Sequence, residues 1–539
     1  MKPEIMDSLN RAKYMTIDTE TISLTDRTCI GIGVQWSDTE SAYFQVLPQT
    51  DPDVLWLMDI LGDPKRTKIY FNAMFDLRVL YDLAYDEGYT LPDMTNIEDA
   101  SMAAQIQGQP DHSLDGLTTK LLGYTNPLSI RGLLDEAGRG STTLDIPLEG
   151  ISQKCLNDVK ATWILWDRVR RAFPNLANEK CYFVDMKLVP VLFKMGNKGL
   201  GLRPNLLQEH HIALTAEIDE CVSICSDYGF HPGKNAEVGY VLATRGNILP
   251  FTKKGKQLRT DEEALEAIDD PLVATILKYR HASKLLSTYV TPWIGEERAY
   301  SNFRIDLSTG RLASFDRNLQ NIPPAMRAVF RPDNQVFTWM DYSQIELRVL
   351  ANISRDVTMM EAYKTGTDLH QMTATTAGVT RSQGKTGNFA MVFGASDKVI
   401  AKNAGMELAK VKDLRNAFKS LYPGAMQYMA RQTRTRDSYV ESMFGRRMGL
   451  PVYNPEVNQN PRAFDAHVSK CAINWGIQGT AADILKRAML EMDREGADLR
   501  ATVHDECLVD GKYTFDPKLA FIHPEFETPF TVEEDYTWK

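Results

Sequence analysis

The stretch VFTWMDYSQIELRVLA, residues 336–351, changes its pattern halfway along. Its first half is the apolar, aromatic run of a buried strand, and that run ends at Asp341. Its second half has helical spacing and carries Glu346. Far downstream, LRATVHDECLVD, residues 499–510, places Asp505 at a tight turn between two short β-like runs. Two aspartates at strand ends can meet in one sheet, where two carboxylates suffice to hold two Mg²⁺ ions.

A second segment, RSQGKTGNFAMVFG, residues 381–394, places Arg381, Lys385, Phe389 and Phe393 at steps of four. On a helix these side chains form one stripe, and the two cations and the first aromatic ring span roughly 12 Å. That reach suits a triphosphate joined to its sugar and base, with the cations on phosphate and Phe389 against the sugar and base. The alternative is an ordinary amphipathic helix. The aspartate segments on either side favour the nucleotide-binding interpretation.

The first third of the chain alternates strand and helix patterns. Strands are expected in YMTIDTET, CIGIGVQW and TKIYF, and helices in PDVLWLMDIL and from 157 to 173. Asp18 and Glu20 stand two apart in the first strand, so both carboxylates point to one face. Asp76 lies in a helical stretch, and Asp158 is expected near the start of an amphipathic helix. A divalent cation would relieve the repulsion among these groups, whereas the alternative is an exposed strand edge with chance acidic residues.

Composition and charge limit the protein class. At 539 residues, 43% hydrophobic and 24% charged, the chain is a globular protein of roughly three to four domains. Residues 1–175 hold 16 basic and 26 acidic residues, so the whole net charge of −10 lies there. Seven cysteines without zinc-finger spacing, no signal core and no membrane span predict a cytoplasmic protein. One basic cluster, Lys253 to Arg259, is expected in a loop, where either phosphate contact or simple solvation would explain it.

Three segments of the first third, DTET, NAMFD and CLNDVKAT, resemble the motifs of 3'-to-5' proofreading exonucleases with an RNase H-like fold. The resemblance covers most of residues 12–170. It implies that Asp18, Glu20, Asp76 and Asp158 hold two metal ions, one generating hydroxide and the other stabilising the leaving 3'-oxygen. Polymerase-linked relatives usually have a tyrosine four residues before the last aspartate, where this chain has Lys154. We therefore expect an active exonuclease with altered water activation, and the alternative is impaired proofreading.

From about Tyr182 to the C-terminus, the chain resembles the family A DNA polymerases, the bacterial DNA polymerase I type including phage members. DYSQIELR, RSQGKTGNF and VHDE match the family's motifs A, B and C. Supporting matches are LVPVLFKMGNKGL, KYRHASKLLSTY, TGRLASFDRNLQNIPP, GTDLHQMTA, YPGAMQYM, MFGRRMGLP and AINWGIQGTAADILK. The number and order of these segments exclude chance agreement.

This resemblance implies a role for each matched residue. Metal ligands would be Asp341, Asp505 and the backbone carbonyl of Tyr342, and Glu506 would support them from nearby. Nucleotide-binding residues would be Arg381, Lys385, Phe389, Glu346, Gln344, Tyr342 and Phe393, with Lys385 also protonating the pyrophosphate and Glu346 excluding a ribose 2'-hydroxyl. Primer-template contacts would come from Arg311, Asn474, Gln478, Lys470 and His504. The chain departs from the family pattern at Phe393, Ala390 and Lys470, which stand where tyrosine, glycine and arginine are usual.

We therefore expect a multidomain α/β protein. The exonuclease domain would cover 1–175, and a right-hand polymerase 176–539, with its thumb at about 180–300. The palm would cover about 301–365 and 448–539, and the fingers about 366–447.

The predicted activity is template-directed DNA synthesis with proofreading, using primer-template DNA, dNTPs and two Mg²⁺ per active site, for which Mn²⁺ can substitute. A phage origin, a monomer and the host cytoplasm are expected, with other replication partners unknown. Two alternatives are a single-subunit RNA polymerase, which Glu346 and Phe389 oppose, and a non-catalytic DNA-binding scaffold, which the retained aspartates oppose.

Overall fold

The computed structural model describes residues 2–23, 25–252, 255–435, 437–458 and 460–538. Lys253 and Lys254 of the expected basic cluster lie outside the described residues. Arg259, at the end of that cluster, forms ion pairs with Asp261 and Glu263, both at 2.8 Å. Among the described residues, no helix combines the length and the apolar character that crossing a bilayer requires.

The N-terminal third is a five-stranded mixed sheet covered by helices, as the sequence predicts. Its strand order is β3-β2-β1-β4-β5, in which β1 runs antiparallel to β2 and parallel to β4. The strands are β1 (Tyr14–Thr21), β2 (Cys29–Gln35), β3 (Ser41–Gln45), β4 (Thr67–Tyr70) and β5 (Ile97–Asp99). The helices are α1 (Pro3–Arg11), α2 (Val54–Leu61), α3 (Ala73–Glu87), α4 (Ala100–Ile106), α5 (Leu114–Leu122), α6 (Ile130–Ala137) and α7 (Leu148–Val169). β2 is buried along its whole length because α7 packs across it and β1.

The middle of the chain is mainly helical. Its elements are α8 (Leu176–Lys198), β6 (Leu200–Leu202), α9 (Pro204–Ser226), α10 (Asn235–Thr244), α11 (Glu262–Glu266), α12 (Pro271–Leu285), β7 (Arg298–Ala299), β8 (Asn302–Arg304), β9 (Ala313–Phe315), α13 (Pro324–Arg327) and β10 (Phe330–Arg331). Gly199 ends α8 with φ +57°, a conformation that only glycine adopts readily, and the chain then forms β6.

The last part combines a second sheet with a group of helices. Its elements are β11 (Phe337–Tyr342), α14 (Ile345–Ser354), α15 (Val357–Thr365), α16 (Leu369–Ala377), α17 (Arg381–Val392), α18 (Asp397–Ala404), α19 (Leu408–Leu421), α20 (Pro423–Gln432), β12 (Tyr439–Glu441), β13 (Arg447–Gly449), α21 (Pro461–Arg494), β14 (Leu499–Val503), β15 (Glu506–Asp510) and β16 (Phe530–Asp535). The sheet has the order β14-β15-β11-β16, and its strands pair antiparallel. β11 is therefore an interior strand, which explains its unbroken apolar run.

A buried ion-pair network joins α8 to α21. The guanidinium of Arg446 contacts Asp185 at 2.7 Å and Asp483 at 2.6 Å, and Lys486 contacts Asp185 at 2.9 Å. All four side chains are at most 3% exposed. The two cations lower the pKa of Asp185 against the opposing effect of burial. Each charge in this network is compensated only while the others are present.

The same helix α8 also contacts the N-terminal sheet. The phenol of Tyr182 lies fully buried, pairs with the Glu98 carboxylate, and accepts a hydrogen bond from the Asp99 backbone N–H at 3.0 Å. Asn178 donates to the carbonyl oxygens of Ile106 at 2.6 Å and Gly445 at 2.9 Å. One helix thus packs against both main bodies of the molecule.

We expect Arg446→Met to lower the free energy of unfolding by about 3–5 kcal/mol, because Asp185 and Asp483 would keep buried charges with too few partners. Urea denaturation followed by tryptophan fluorescence measures this loss. The matched control is Arg171→Met, whose exposed pair with Asp167 is worth at most about 1 kcal/mol. Equal losses in the two variants would contradict a structural role for the network.

Candidate active sites

The two aspartates expected to meet do so in the second sheet. Asp341 is the penultimate residue of β11, and Asp505 lies in the turn between β14 and β15. β11 pairs antiparallel with β15, with Asp341 opposite Glu506, and the Tyr342 N–H donates to the Asp505 carbonyl oxygen at 3.3 Å. His504 has φ +57°, which makes the turn tight. The pairing therefore brings both carboxylates to one end of the sheet.

The two carboxylates influence each other electrostatically. Burial, and after it the charge of Asp341, raises the pKa of Asp505 to about 7. Burial also raises the pKa of Asp341, assisted by Glu533 and opposed by Arg327 and Lys385. Neighbouring carboxylates whose ionised forms are disfavoured are the donor set that a hard divalent cation stabilises. The residues at this end of the sheet therefore fit the expected metal.

The predicted cationic stripe lies on α17. Arg381, Lys385 and Phe389 share one face of this helix, and Arg381 pairs with Asp368 at 2.5 Å. On the opposite face, a Cβ added to Gly384 would lie 2.6 Å from the His370 carbonyl oxygen, so glycine is required for the close packing of α16. The stripe is thus held by a helix that is tightly packed from behind.

The last member of the expected stripe, Phe393, is the C-terminal cap of α17, and its N–H still donates to the Phe389 carbonyl oxygen at 3.0 Å. Phe393 lies one residue beyond the end of α17, because Gly394 takes φ +65° and ends the helix. The Gly394 backbone then passes against the side chain of Lys470, whose Cγ lies 3.2 Å from the place of an added Cβ. Phe393 still reaches the same cavity as Phe389, but from the loop.

A cavity of about 360 Å³ lies between α17, α21 and the sheet. It is lined by Arg311, Leu312, Gln320, Gln344, Ile345, Glu346, Phe389, Phe393, Ala481, Ala482, Leu485, His504 and Asp505. Glu346 forms an ion pair with Arg311. Burial raises the pKa of Glu346, and Arg311 opposes that effect. Gln344 begins α14 with φ +55° and accepts a hydrogen bond from Tyr363 at 3.3 Å. The cavity joins most of the expected nucleotide-binding residues to Asp505.

The residues expected to contact primer-template surround this cavity on two sides. Asn474 and Gln478 lie one turn apart on α21, and Lys470 is exposed one turn before them. The Asn474 side chain is 9% exposed, and its Oδ1 has no hydrogen-bond partner among the described residues. Arg311 and His504 line the cavity itself. Gln478 lies one turn before Ala482, which lines the cavity, so the amide-bearing face of α21 leads towards it; we call these five polar residues the polar border.

The N-terminal sheet brings the other four carboxylates together. Asp18 and Glu20 project from β1, and Asp76 in the first turn of α3 accepts hydrogen bonds from the Thr19 N–H at 3.0 Å and hydroxyl at 2.7 Å. Asp158 lies in the middle of α7 and not near its start, because the helix already begins at Leu148. An oxygen of Asp18, an oxygen of Glu20 and the Cys155 sulfur lie within 4.8 Å of one another. The carboxylate oxygens fit a hard divalent cation, which takes oxygen ligands, whereas Cys155 donates to Asp18 as a thiol whose pKa burial raises well above its usual range.

Lys154 stands within this carboxylate cluster. Its Nζ lies 2.8 Å from Glu20 and 2.8 Å from Asp158. Burial raises the pKa of Asp18 well above its usual range, whereas Lys154 lowers it. Burial also lowers the pKa of Lys154, but Asp18, Glu20 and Asp158 together outweigh it and raise that pKa well above its usual range. The ammonium is therefore charged.

Several site residues have no signal in the sequence. Trp538 is 1% exposed and donates from its indole N–H to the Glu506 carboxylate at 2.6 Å. The guanidinium of Arg327 lies 4.6 Å from the Trp538 ring and 3.4 Å from Glu506. In the other site, Asn126 donates to Asp158. These partners are distant in sequence, so only the folded chain reveals them.

Comparison with known families finds two models that match this chain. The model described as DNA polymerase family A matches residues 205–518, which is more than half of the chain. The chain belongs to DNA polymerase family A. A second model, 3'-5' exonuclease, matches residues 3–171. The expected order of an exonuclease domain followed by a family A polymerase domain is confirmed.

Individual relatives of this family A chain are bacterial. DNA polymerase I of Pseudomonas aeruginosa is 30% identical over 94% of this chain and 60% of its own length. DNA polymerase I of Lactococcus lactis is 35% identical over 61% of this chain and 41% of its own length. The chain thus spans about half the length of these curated relatives. A solved structure, the POL domain of Pol1 from M. smegmatis in complex with DNA primer-template and dNTP, shares the fold at TM-score 0.78 and 22% identity, covering 100% of this chain and 98% of its own.

The raised pKa of Asp505 predicts a pH-dependent stability of the metal-free protein. Because its folded pKa of about 7 exceeds the unfolded value, the contribution of Asp505 to stability is present at low pH. It is lost as the pH rises from about 4 through 7. We expect Asp505→Asn to have a higher melting temperature than wild type at pH 8 in EDTA. The difference between the two melting temperatures should become smaller towards pH 4.

Differential scanning calorimetry measures this gap. Exposed Asp465 on α21 gives the matched control, and Asp465→Asn should follow wild type at every pH. Adding Mg²⁺ should raise the melting temperature of wild type more than that of Asp505→Asn. A gap between wild type and Asp505→Asn that is independent of pH would contradict the assigned electrostatics.

Proposed function

We propose that this chain is a template-directed DNA polymerase that adds dNTPs to a primer 3' end by two-metal phosphoryl transfer, with 3'-to-5' exonuclease proofreading. The observation that carries the proposal is the pairing of β11 with β15. It brings Asp341 and Asp505 together beside the cavity that Phe389 and Glu346 line. Phosphoryl transfer needs positioned charge more than covalent help, and this arrangement supplies it. The phage origin stays a prediction.

The polymerase metal site would consist of Asp341, Asp505 and the Tyr342 carbonyl. When bound there, Mg²⁺ or Mn²⁺ supplies Lewis-acid stabilisation of phosphate charge and of the attacking oxygen. The chain's own part is to hold these oxygens on paired strands. Trp538 and Arg327 hold the Glu506 carboxylate beside these ligands. Glu506 would therefore support the metal site from a fixed position.

The stripe on α17 would bind the nucleotide. Arg381 would exchange its Asp368 carboxylate for a phosphate, which offers the same bidentate geometry. Lys385 lies close enough to lower the pKa of Asp341, so its ammonium can neutralise phosphate and donate a proton to the departing pyrophosphate. Phe389 and Phe393 would pack against the sugar and base, with Gln344 at the cavity wall.

Primer-template would lie along the polar border of the cavity. Arg311, Asn474 and Gln478 offer donors to the purine N3 and pyrimidine O2 acceptors that every correct base pair shows in the minor groove. The buried Oδ1 of Asn474 has no hydrogen-bond partner among the described residues, and as an acceptor it would suit the guanine N2 donor of the same groove. Lys470 and His504 would contact the strand backbone and the primer end.

The exonuclease reaction is assigned to Asp18, Glu20, Asp76 and Asp158. With divalent cations bound, these carboxylates would serve hydrolysis of a 3'-terminal phosphodiester. Thr19 holds Asp76 through two hydrogen bonds, so this carboxylate keeps its orientation. The separate positions of the two carboxylate sets, on β1 and on β11, allow synthesis and hydrolysis to be abolished independently.

A labelled primer-template with Mg²⁺, with and without dNTPs, tests both activities. We expect Asp341→Ala to abolish extension and Asp18→Ala to abolish shortening, each by on the order of 10³-fold, because loss of metal stabilisation removes several kcal/mol. Each variant is the control for the other, since each should retain the other activity. Extension that persists in Asp341→Ala would refute the polymerase assignment, and shortening that persists in Asp18→Ala would refute the exonuclease assignment.

Glu346 is proposed to exclude a ribose 2'-hydroxyl from the cavity. We expect Glu346→Ala to reduce discrimination against ribonucleotides by about 10²-fold, because truncation opens the space that the Glu346 carboxylate fills beside Arg311. Single-nucleotide incorporation of dNTP and rNTP measures the ratio of kcat/KM values. Glu361→Ala, at an exposed position of α15, is the control and should keep the wild-type ratio. An unchanged ratio in Glu346→Ala would exclude this role.

A further inference from the structure

The ammonium of Lys154 is built into the exonuclease carboxylate cluster. Its Nζ lies 2.8 Å from Glu20 Oε1 and 2.8 Å from Asp158 Oδ2. The side chain is 15% exposed, and those of its two partners are 5% and 13% exposed. Lys154 therefore bridges a carboxylate of the sheet and a carboxylate of the helix from within the cluster.

The backbone around Lys154 is fixed against the sheet. The Thr16 hydroxyl donates to the Val159 carbonyl oxygen at 2.9 Å. A Cβ added to Gly33 would lie 2.6 Å from the Cys155 sulfur, so α7 touches β2 directly. Because α7 cannot slide, Lys154 can leave Glu20 and Asp158 only by rotation of its own side chain.

A divalent cation would need the same oxygens. An ammonium offers three donors and no acceptor, so it occupies carboxylate lone pairs without contributing a ligand. Two positive charges sharing one partly buried carboxylate pair also repel each other strongly. We propose that Lys154 acts as an internal cation that competes with a divalent metal ion for Glu20 and Asp158, and so sets the metal requirement of the exonuclease site.

This inference rests on the proposed exonuclease function and adds an order of metal binding to it. The described ion pairs of Lys154 involve Glu20 and Asp158, whereas Asp18 and Asp76 form no such pair with it, although the charges of Asp18 and Lys154 still attract each other. One cation therefore binds on the side of Asp18 and Asp76 with Lys154 in place. A second cation binds only when Lys154 is displaced.

Mn²⁺ binding to the full chain tests the competition without relying on activity. The parent carries Asp341→Asn and Asp505→Asn, which removes the palm carboxylates, and electron paramagnetic resonance counts free Mn²⁺ during titration. Lys154→Met removes the charge at similar length, and Lys154→Gln keeps a hydrogen-bond donor in case the apolar side chain disturbs folding. Lys160→Met, at an exposed position of α7, is the matched control.

We expect the parent to bind a second Mn²⁺ at least tenfold more weakly than the first. Both Lys154 variants should bind that second ion at least tenfold more tightly than the parent, and Lys160→Met should stay within twofold of it. Unchanged second-site affinity in the folded Lys154 variants would overturn the inference.

Adding Asp18→Asn to the Lys154→Met protein distinguishes a failure of the proposed competition from a failure of the proposed exonuclease site. If Asp18→Asn abolishes Mn²⁺ binding but Lys154→Met leaves the affinity for Mn²⁺ unchanged, the proposed competition is wrong and the proposed exonuclease site is still supported. Mn²⁺ binding that is indifferent to Asp18→Asn would place the ions elsewhere and would refute the proposed exonuclease site as well. Tighter binding that Asp18→Asn abolishes supports both.

Discussion

Arg446 donates to Asp185 and Asp483 from a position where water does not reach, and Lys486 shares Asp185 with it. Two acids and two bases balance one another, so their burial is tolerated only as a complete set. The network fixes α8 against α21, and α21 carries the residues that border the large cavity. Through Tyr182, the same α8 meets the edge of the N-terminal sheet. The geometry of both carboxylate sites depends on this one helix staying in place.

Both sites bring together carboxylates that repel one another, and they differ in where the neighbouring cations lie. Each collects carboxylates on a sheet, where strand pairing rather than flexible loops sets their positions. In the site of Asp341 and Asp505, the neighbouring cations lie on α17, a separate helix whose Arg381 pairs with Asp368. In the N-terminal site, the cation lies inside the cluster, on the helix that also carries Asp158. Cations on a separate helix suit a ligand that brings its own charge and leaves again, whereas a cation inside the cluster compensates its charge continuously.

Local patterns were sufficient to predict the elements that carry the main site residues. The apolar run before Asp341, the turn at Asp505 and the four-residue spacing on α17 appear in the structure where the sequence places them. Errors occurred where the extent of an element or a distant partner decides the outcome, as when α7 begins at Leu148 and so places Asp158 at its middle. Trp538 beside Glu506, and Lys154 beside Glu20, join residues 32 and 134 positions apart, and no periodicity reports such contacts. Short sequence segments therefore identify the candidate metal ligands and nucleotide-binding residues. The side chains that hold these residues in place are found only from tertiary packing.

Because α8 contacts both the N-terminal sheet and α21, it also determines where the chain can be divided into fragments. Cutting at 175, where the sequence suggests a domain boundary, would separate Tyr182 from Glu98 and Asn178 from the Ile106 carbonyl oxygen. Cutting after α8 would instead separate Asp185 from Arg446. The expected domain boundary at 175 therefore does not coincide with the surface along which the two parts of the molecule pack. If one part is replaced by that of a relative, α8 has to fit the residues of both parts. Exchangeability between relatives is then a property of α8 and its neighbours rather than of either half alone.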